Sequence, residues 1–398
     1  MERFRPLLEI INSLKYKLIL LLFVGNLAAA QNGCSVKLIK RIHTPNGGNA
    51  EILQYIASKH IIAAVNSKNH CLDFYKVNDL AIGDIKPIAN IKIKSEPTSV
   101  AANANLNYVI LSRLADANGS SEIIFADLNT FAEVKKISFG VQLDCVSISP
   151  NGKWMIAADE AEENSQTEGG IWALNLNTKQ PPVRLNGLDE LTGINLGILE
   201  PEFIAFDPHN KFSAVSCQEN DLIVIVDMQN TLPVLTTVIR LAKGAQPDGI
   251  AVIRDSSNKA IIAAAEEGEK LNNGKRTGQC VSFYSLENDF KQYELLSRVD
   301  VRKYLCPDEP DKRCDPEGIA LKKLNGRIFS FVGIERLNKL LILEITNPRD
   351  PILISAEDTG SRPEGVIAVE EKNKTFIITA DEGENSNGTI SIFEIILD

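Results

Sequence analysis

Three segments of this 398-residue chain set a carboxylate between a proline and a glycine: Pro247-Asp248-Gly249, Pro316-Glu317-Gly318 and Pro363-Glu364-Gly365. Proline holds an entry turn rigid, and glycine lets another backbone come close. At the matching position of four further segments stand Glu51, Thr98, Asp144 and Glu202. Two apolar runs after these comes a second acidic position: Asp159 and Glu160, Glu219, Glu266 and Glu267, Glu335, then Asp381 and Glu382. Carboxylates that converge raise one another's pKa unless a cation or hydrogen-bond donors balance them. An oxygen-only ligand set suits calcium or magnesium rather than zinc or copper. The candidates for such a site are Glu317 and Glu364 first, then Asp248, Glu202, Glu267, Glu335 and Glu382. The competing reading makes each acid a structural acceptor for backbone N–H groups of the neighbouring repeat. Arg113, Arg336 and Arg362 lie near the same loops, where they either neutralise part of the acid set or, for Arg336 and Arg362, contact an anionic ligand group.

Nothing names a nucleophile. The four histidines (His43, His60, His70, His209) show no H-E-x-x-H spacing, and no G-x-S-x-G elbow, P-loop or G-x-G-x-x-G is present. The seven cysteines include no C-x-x-C pair. Cys306 and Cys314 flank the polar loop PDEPDKR and are candidates for a disulfide, whereas Cys145 and Cys217 sit in strand patterns and read as buried thiols.

The elements that must position these acids repeat. Ala50, Pro97, Leu143, Pro201, Pro247, Pro316 and Pro363 start equivalent copies at spacings of 47, 46, 58, 46, 69 and 47 residues. Each copy holds a short apolar run, a turn rich in Asn, Asp, Gly or Lys, a second run, a polar loop and a third alternating run such as LIVIVDM. Each interval leaves room for a fourth strand, for example PVLTTVIRL. Four short strands per roughly 40–50 residues is the pattern of a β-propeller blade, so the chain is expected to be all-β: a seven-bladed propeller of four-stranded blades in one domain, residues 31–398. The seventh copy ends after its third strand, and a spare strand near Val36–Ile42 is expected to complete that blade, because an open edge in a ring would be unstable and sticky. In such a ring the first strand of each blade lies nearest the channel, and both acidic loops open on one face. The extra length at 270–313 is a possible interaction loop on a rigid scaffold.

The first 30 residues read as a cleaved signal peptide. Arg3, Arg5, Lys15 and Lys17 precede the apolar run Leu18 to Val24, which is shorter than the roughly 20 residues that span a bilayer, and Ala28 to Ala30 offer a cleavage site. No lipobox precedes Cys34, and nothing after Ile395 looks like an anchor. The mature chain is therefore expected to be exported, periplasmic or secreted, and not an integral membrane protein. Without residues 1–30, which hold four basic and two acidic residues, 38 basic face 50 acidic residues, a net charge of −12. That excludes a nucleic acid, which demands a basic face, and suits a cation or a cationic surface.

The series PEGIA at 316–320, VGIER at 332–336, LLILEITNPRDP at 340–351, PEGVIAV at 363–369, TADEGE at 379–384 and GTISIFEI at 388–395 resembles the exported propeller family called choice-of-anchor I. That family is similar to mesenchyme-specific cell-surface glycoproteins. The likeness reads as stronger from about Glu200 to the end. It implies a propeller related to YVTN and WD40-like repeats, an extracytoplasmic location and a link to calcium. Early copies carry AAVNSKN and LSRLADA where family members tend to show an acidic loop. The reading that follows is a non-enzymatic binding protein whose acidic channel rim takes Ca2+ or another cationic ligand, the partner being a small ligand, a cation or a cell-surface protein. The alternatives are a metal-dependent phosphoesterase of the alkaline phosphatase or phytase-like kind, with the same acids on metal ions, and a protein-interaction scaffold.

Overall fold

A computed structural model describes residues 33–114, 119–161, 167–271, 274–287, 289–309, 311–384 and 387–398. The leader expected over residues 1–30 lies outside these, as does part of the polar segment 164–170. The described chain forms seven four-stranded antiparallel sheets arranged as a ring of blades. In chain order, the innermost strands are Leu53–Ile56, Pro97–Ala101, Leu143–Ile148, Pro201–Phe206, Pro247–Arg254, Pro316–Leu324 and Pro363–Glu371, and successive ones pack against one another around the axis.

The burial pattern follows from stacking sheet on sheet. Second strands such as Ile61–Asn66, Trp154–Asp159 and Phe212–Cys217 are buried at every residue. They read as continuous apolar runs because both faces are covered by neighbouring blades. The outermost strand Ala132–Ser138 is almost wholly exposed and polar. Among the described residues there is no single core. Seven hydrophobic clusters form, each between two adjacent blades. Between blades 7 and 1, for example, Ile62 and Tyr75 pack with Phe376 and Ile392.

The ring closes as expected. Cys34–His43 pairs antiparallel with Thr389–Leu397 and becomes the outer strand of blade 7. Thr44 N donates to Gly388 O at 3.0 Å and Gly388 N to Gly48 O at 2.8 Å. The last strand is thereby paired on both sides and presents no edge. Of the two long copies, the third ends in a short helix, Leu188–Thr192. The fifth carries a bridge between Lys270 and Arg276 and a helical turn, Arg302–Leu305. The stretch 270–313 is not one insertion, as expected: Cys280–Glu287 and Gln292–Asp300 within it are the third and fourth strands of blade 5, and the extra length after them is anchored by Val301, Cys306 and Cys314 in the core between blades 5 and 6. Among the described residues no helix is long and apolar enough to cross a membrane.

Candidate acidic channel mouth

The inner strands do not pair continuously with their neighbours. Register breaks fall between Pro97 and Ser99, Leu143 and Cys145, Pro201 and Ile204, Pro247 and Ile250, Pro316 and Ile319, and Pro363 and Val366. A bulge of this kind re-aims a side chain. The first residue inside each break is Thr98, Asp144, Glu202, Asp248, Glu317 or Glu364, and Glu51 stands just ahead of the inner strand of blade 1. The residues before the prolines, Gln246, Asp315 and Arg362, all adopt left-handed backbone, with φ of 48°, 50° and 56°. Strain repeated at equivalent positions persists only where the surrounding structure enforces it.

The glycine after the acid is enforced by packing. A Cβ on Gly318 would sit 1.8 Å from Glu364 O, and one on Gly249 or Gly365 would sit 2.4 Å from Glu317 O or Glu51 O. Gly365 N also donates to Glu51 O at 3.0 Å. Each glycine therefore seats the backbone of the next blade's acid, and this fixes the spacing between carboxylates.

The carboxylates surround a cavity of about 370 Å³. From the inner strands it receives Glu51, Asp144, Glu202, Asp248, Glu317 and Glu364. From the loops leaving the second strands it receives Glu267 and Glu382. Six blades thus supply an inner acid. In blade 2 the hydroxyl of Thr98 is committed to Ser112 Oγ at 2.8 Å and to Leu143 O. Glu96, two residues earlier, lines the cavity instead. It was missed in the sequence, although its place before Pro97 matches that of Glu200 before Pro201.

The second acidic position divides in two. The residue opposite the entry proline or leucine locks its blade. Asp159 pairs with Leu143 in the ladder and accepts from Val141 N, Gln142 N and Trp172 Nε1 at 2.8, 2.9 and 2.9 Å. Asp381, opposite Pro363, accepts from Thr379 Oγ1, Thr389 Oγ1 and Gly360 N at 2.7, 2.7 and 3.0 Å. Glu266, opposite Pro247, is held by Arg298 Nε at 2.7 Å. These three are structural acceptors, but most of their donors are side chains of their own blade rather than, as expected, backbone N–H groups of the neighbouring repeat. The next residue along turns towards the cavity: Gln218, Glu267 and Glu382. In blade 4 that residue is Gln218, and Glu219 instead accepts from Gln246 Nε2 at 2.6 Å.

Of the candidates from sequence, Glu202, Asp248, Glu267, Glu317, Glu364 and Glu382 come together at the cavity. Glu335 lies buried behind it. Arg362 Nε bonds one of its oxygens and Arg336 Nε lies 2.9 Å from the other. Arg336 Nε also reaches Asp315 Oδ2 at 3.0 Å, and Arg362 Nη1 reaches Glu382 Oε2 at 3.0 Å. Both arginines therefore neutralise acids. Arg113, opposite Pro97 in blade 2, is buried and pairs with Glu122 at 2.8 Å. Cys306 and Cys314 are buried free thiols, and the Cys314 thiol is pushed up to about 12 by burial and then by Cys306 beside it.

Electrostatics runs around the ring. Burial first, and then the neighbouring acids, hold Asp144, Glu202, Glu317 and Glu364 well above the ordinary carboxyl range. The first neighbour is Glu202 for Asp144, Asp248 for Glu202, Glu364 for Glu317 and Glu51 for Glu364. Glu51 and Asp248 are each pushed up to about 7, again by burial first and then by nearby acids. Glu51 is partly compensated by Asn49 Nδ2 at 2.6 Å and by Ser67 Oγ. Among the described residues no hydrogen bond reaches the side chains of Glu202 or Glu364. Two groups, Asp144 with Glu160 and Glu202, and Glu267 with Glu317 and Glu335, bring one oxygen from each acid within 4.8 Å of the others.

Comparison with known proteins agrees with the architecture. Residues 51–232 match the model of the choice-of-anchor I domain, which with the seven-bladed ring is consistent with a choice-of-anchor I propeller protein. The match covers the early copies, where the motif likeness reads as weaker. No curated protein matches the chain. Among solved structures, a chain of Kuenenia stuttgartiensis hydrazine synthase is similar with a TM-score of 0.64, covering 90% of this chain and 98% of that one at 13% identity. At that identity the likeness shows the propeller fold alone.

Proposed function

We propose, taking a choice-of-anchor I propeller as the premise, that this protein is an exported, non-enzymatic binding protein whose channel mouth holds a cation, with calcium the first candidate. One observation carries the reading: inner acids from six of seven blades converge on one cavity that takes a single arginine, Arg362, into its lining. Such a set is self-repelling in the absence of a counter-charge, and a hard cation with oxygen ligands relieves it. The choice-of-anchor match supports a surface or exported setting, and the apolar leader at 18–24 supplies the route.

The phosphoesterase alternative draws less support, because Arg336 and Arg362, its anion contacts, are both committed to carboxylates. The scaffold alternative also weakens, since most of 270–313 is the third and fourth strands of blade 5 and the length after them is tied into the core by Val301, Cys306 and the adjoining Cys314.

The test is the thermal midpoint in excess chelator and then in added calcium. Binding to the native state at a hundredfold excess over Kd adds about 2.7 kcal/mol, and that gain is expected to vanish when the acids of the mouth are replaced together by their amides. No shift with calcium, magnesium or an organic cation refutes the proposal. Turnover of a generic phosphoester that depends on added metal favours the enzyme instead.

A further inference from the structure

The two carboxylate groups at the mouth are not equivalent. In the group Glu267, Glu317 and Glu335, the protein supplies its own counter-charge: Arg336 and Arg362 hold Glu335, and Arg313 acts on Glu267. The group Asp144, Glu160 and Glu202, between blades 3 and 4, has none. Among the described residues no lysine or arginine pairs with any of the three, and the charges acting on Asp144 and Glu202 are all negative.

We infer that the cation of the channel mouth is a hard divalent ion held by Asp144, Glu160 and Glu202. This rests on the reading of the mouth as a cation site and names its position. A second observation points the same way: Asp144 Oδ2 is fully enclosed and receives no donor from a neutral or basic group, the side chain in contact with Asp144 being another acid, Glu160. A buried carboxylate oxygen left without a donor costs free energy, and an ion removes that cost.

The distances fit. Oxygens at about 2.4 Å from one calcium ion lie at most about 4.8 Å apart, twice the bond length, and the three oxygens here fall within 4.8 Å of one another. The donors are also held in place before any ion arrives. Glu160 N donates to Gln142 O at 2.8 Å, Gln142 Nε2 bonds the Glu160 carboxylate, and the adjoining Asp159 is locked by Val141 N and Gln142 N. Asp144 sits in the register break of its strand, Glu202 in that of the next blade. Water from the cavity completes the 6–8 oxygens that calcium takes.

The test is calorimetric titration of calcium into the full chain and into D144N, E160Q and E335Q. Loss of affinity of at least about tenfold in D144N and E160Q is expected, the scale on which even residues that support a metal ligand act, with E335Q close to the parent protein. A chelator-treated midpoint of D144N equal to or above the parent's shows that it folds; if it does not, E160Q alone decides. Calcium binding that survives D144N and E160Q but is lost in E335Q overturns this placement and leaves the mouth reading standing. A parent protein that binds neither calcium nor magnesium overturns both.

Discussion

The charge ring makes a prediction about pH that runs against the usual behaviour of carboxylates. Glu51 is partly buried and is pushed from its ordinary 4.5 up to about 7, by burial first and then, against the hydrogen bond from Ser67, by Glu382 and Glu96. A group whose folded pKa lies above its unfolded value binds more protons in the folded state, so stability falls as pH rises through that window. For Glu51 the window runs from about 4.5 to about 7, and the cost of holding it ionised at pH 7.5 is about 3 kcal/mol. Asp248, likewise pushed up to about 7, acts in the same direction. The two belong to one coupled ring, so their effects do not add. Acids held below their ordinary range, such as Asp79, Asp127 and Glu344, act only further down the pH scale. Between pH 5 and 7.5 the mouth therefore dominates. In chelator the thermal midpoint is expected to rise by about 4 °C from pH 7.5 to 5, using about 2.1 cal/mol/K of unfolding entropy per residue. E51Q flattens this slope, and calcium at pH 7.5 flattens it by keeping the acids ionised. A midpoint that is level or falls on acidification, or an E51Q profile that superposes on the parent's, refutes the reasoning.

Further outcomes follow from the packing. Gly318→Ala places a Cβ 1.8 Å from Glu364 O and is expected to cost more than about 2 kcal/mol by denaturant midpoint. Removing residues 34–43 leaves Thr389–Leu397 as an open edge; size-exclusion chromatography should show association or loss of the monomer. Arg298→Ala strands Glu266, which is 0% exposed, and should cost about 3 kcal/mol; R298A/E266Q should recover part of that in the same unfolding assay.

The blade count, the closure by an N-terminal strand and the family of acids at the channel were all legible in the sequence. Each rests on a local signal that repeats: a Pro-acid-Gly entry, a polar turn, an alternating third strand. The choice between adjacent acids was not. Glu266 and Glu267, or Asp381 and Glu382, look interchangeable as residue types. Only strand register makes the first face its own blade and the second the cavity, and so Gln218, not Glu219, fills that place in blade 4. Arg336 and Arg362 were equally open: their roles depend on which carboxylates from blades 6 and 7 fold onto them.

The sequence by itself determined a ring of seven repeats with one acidic mouth, because periodic hydrophobicity and turn residues act over a few neighbours and repeat without reference to distant partners. The tertiary structure decided where the negative charge stays uncompensated. Glu317 and Glu364 led the candidates as types in a motif, yet among the described residues the three-acid group without an arginine lies at Asp144, Glu160 and Glu202. Counter-charge is a property of what the ring brings within a few ångströms, and residues from different blades meet there only once the ring is closed.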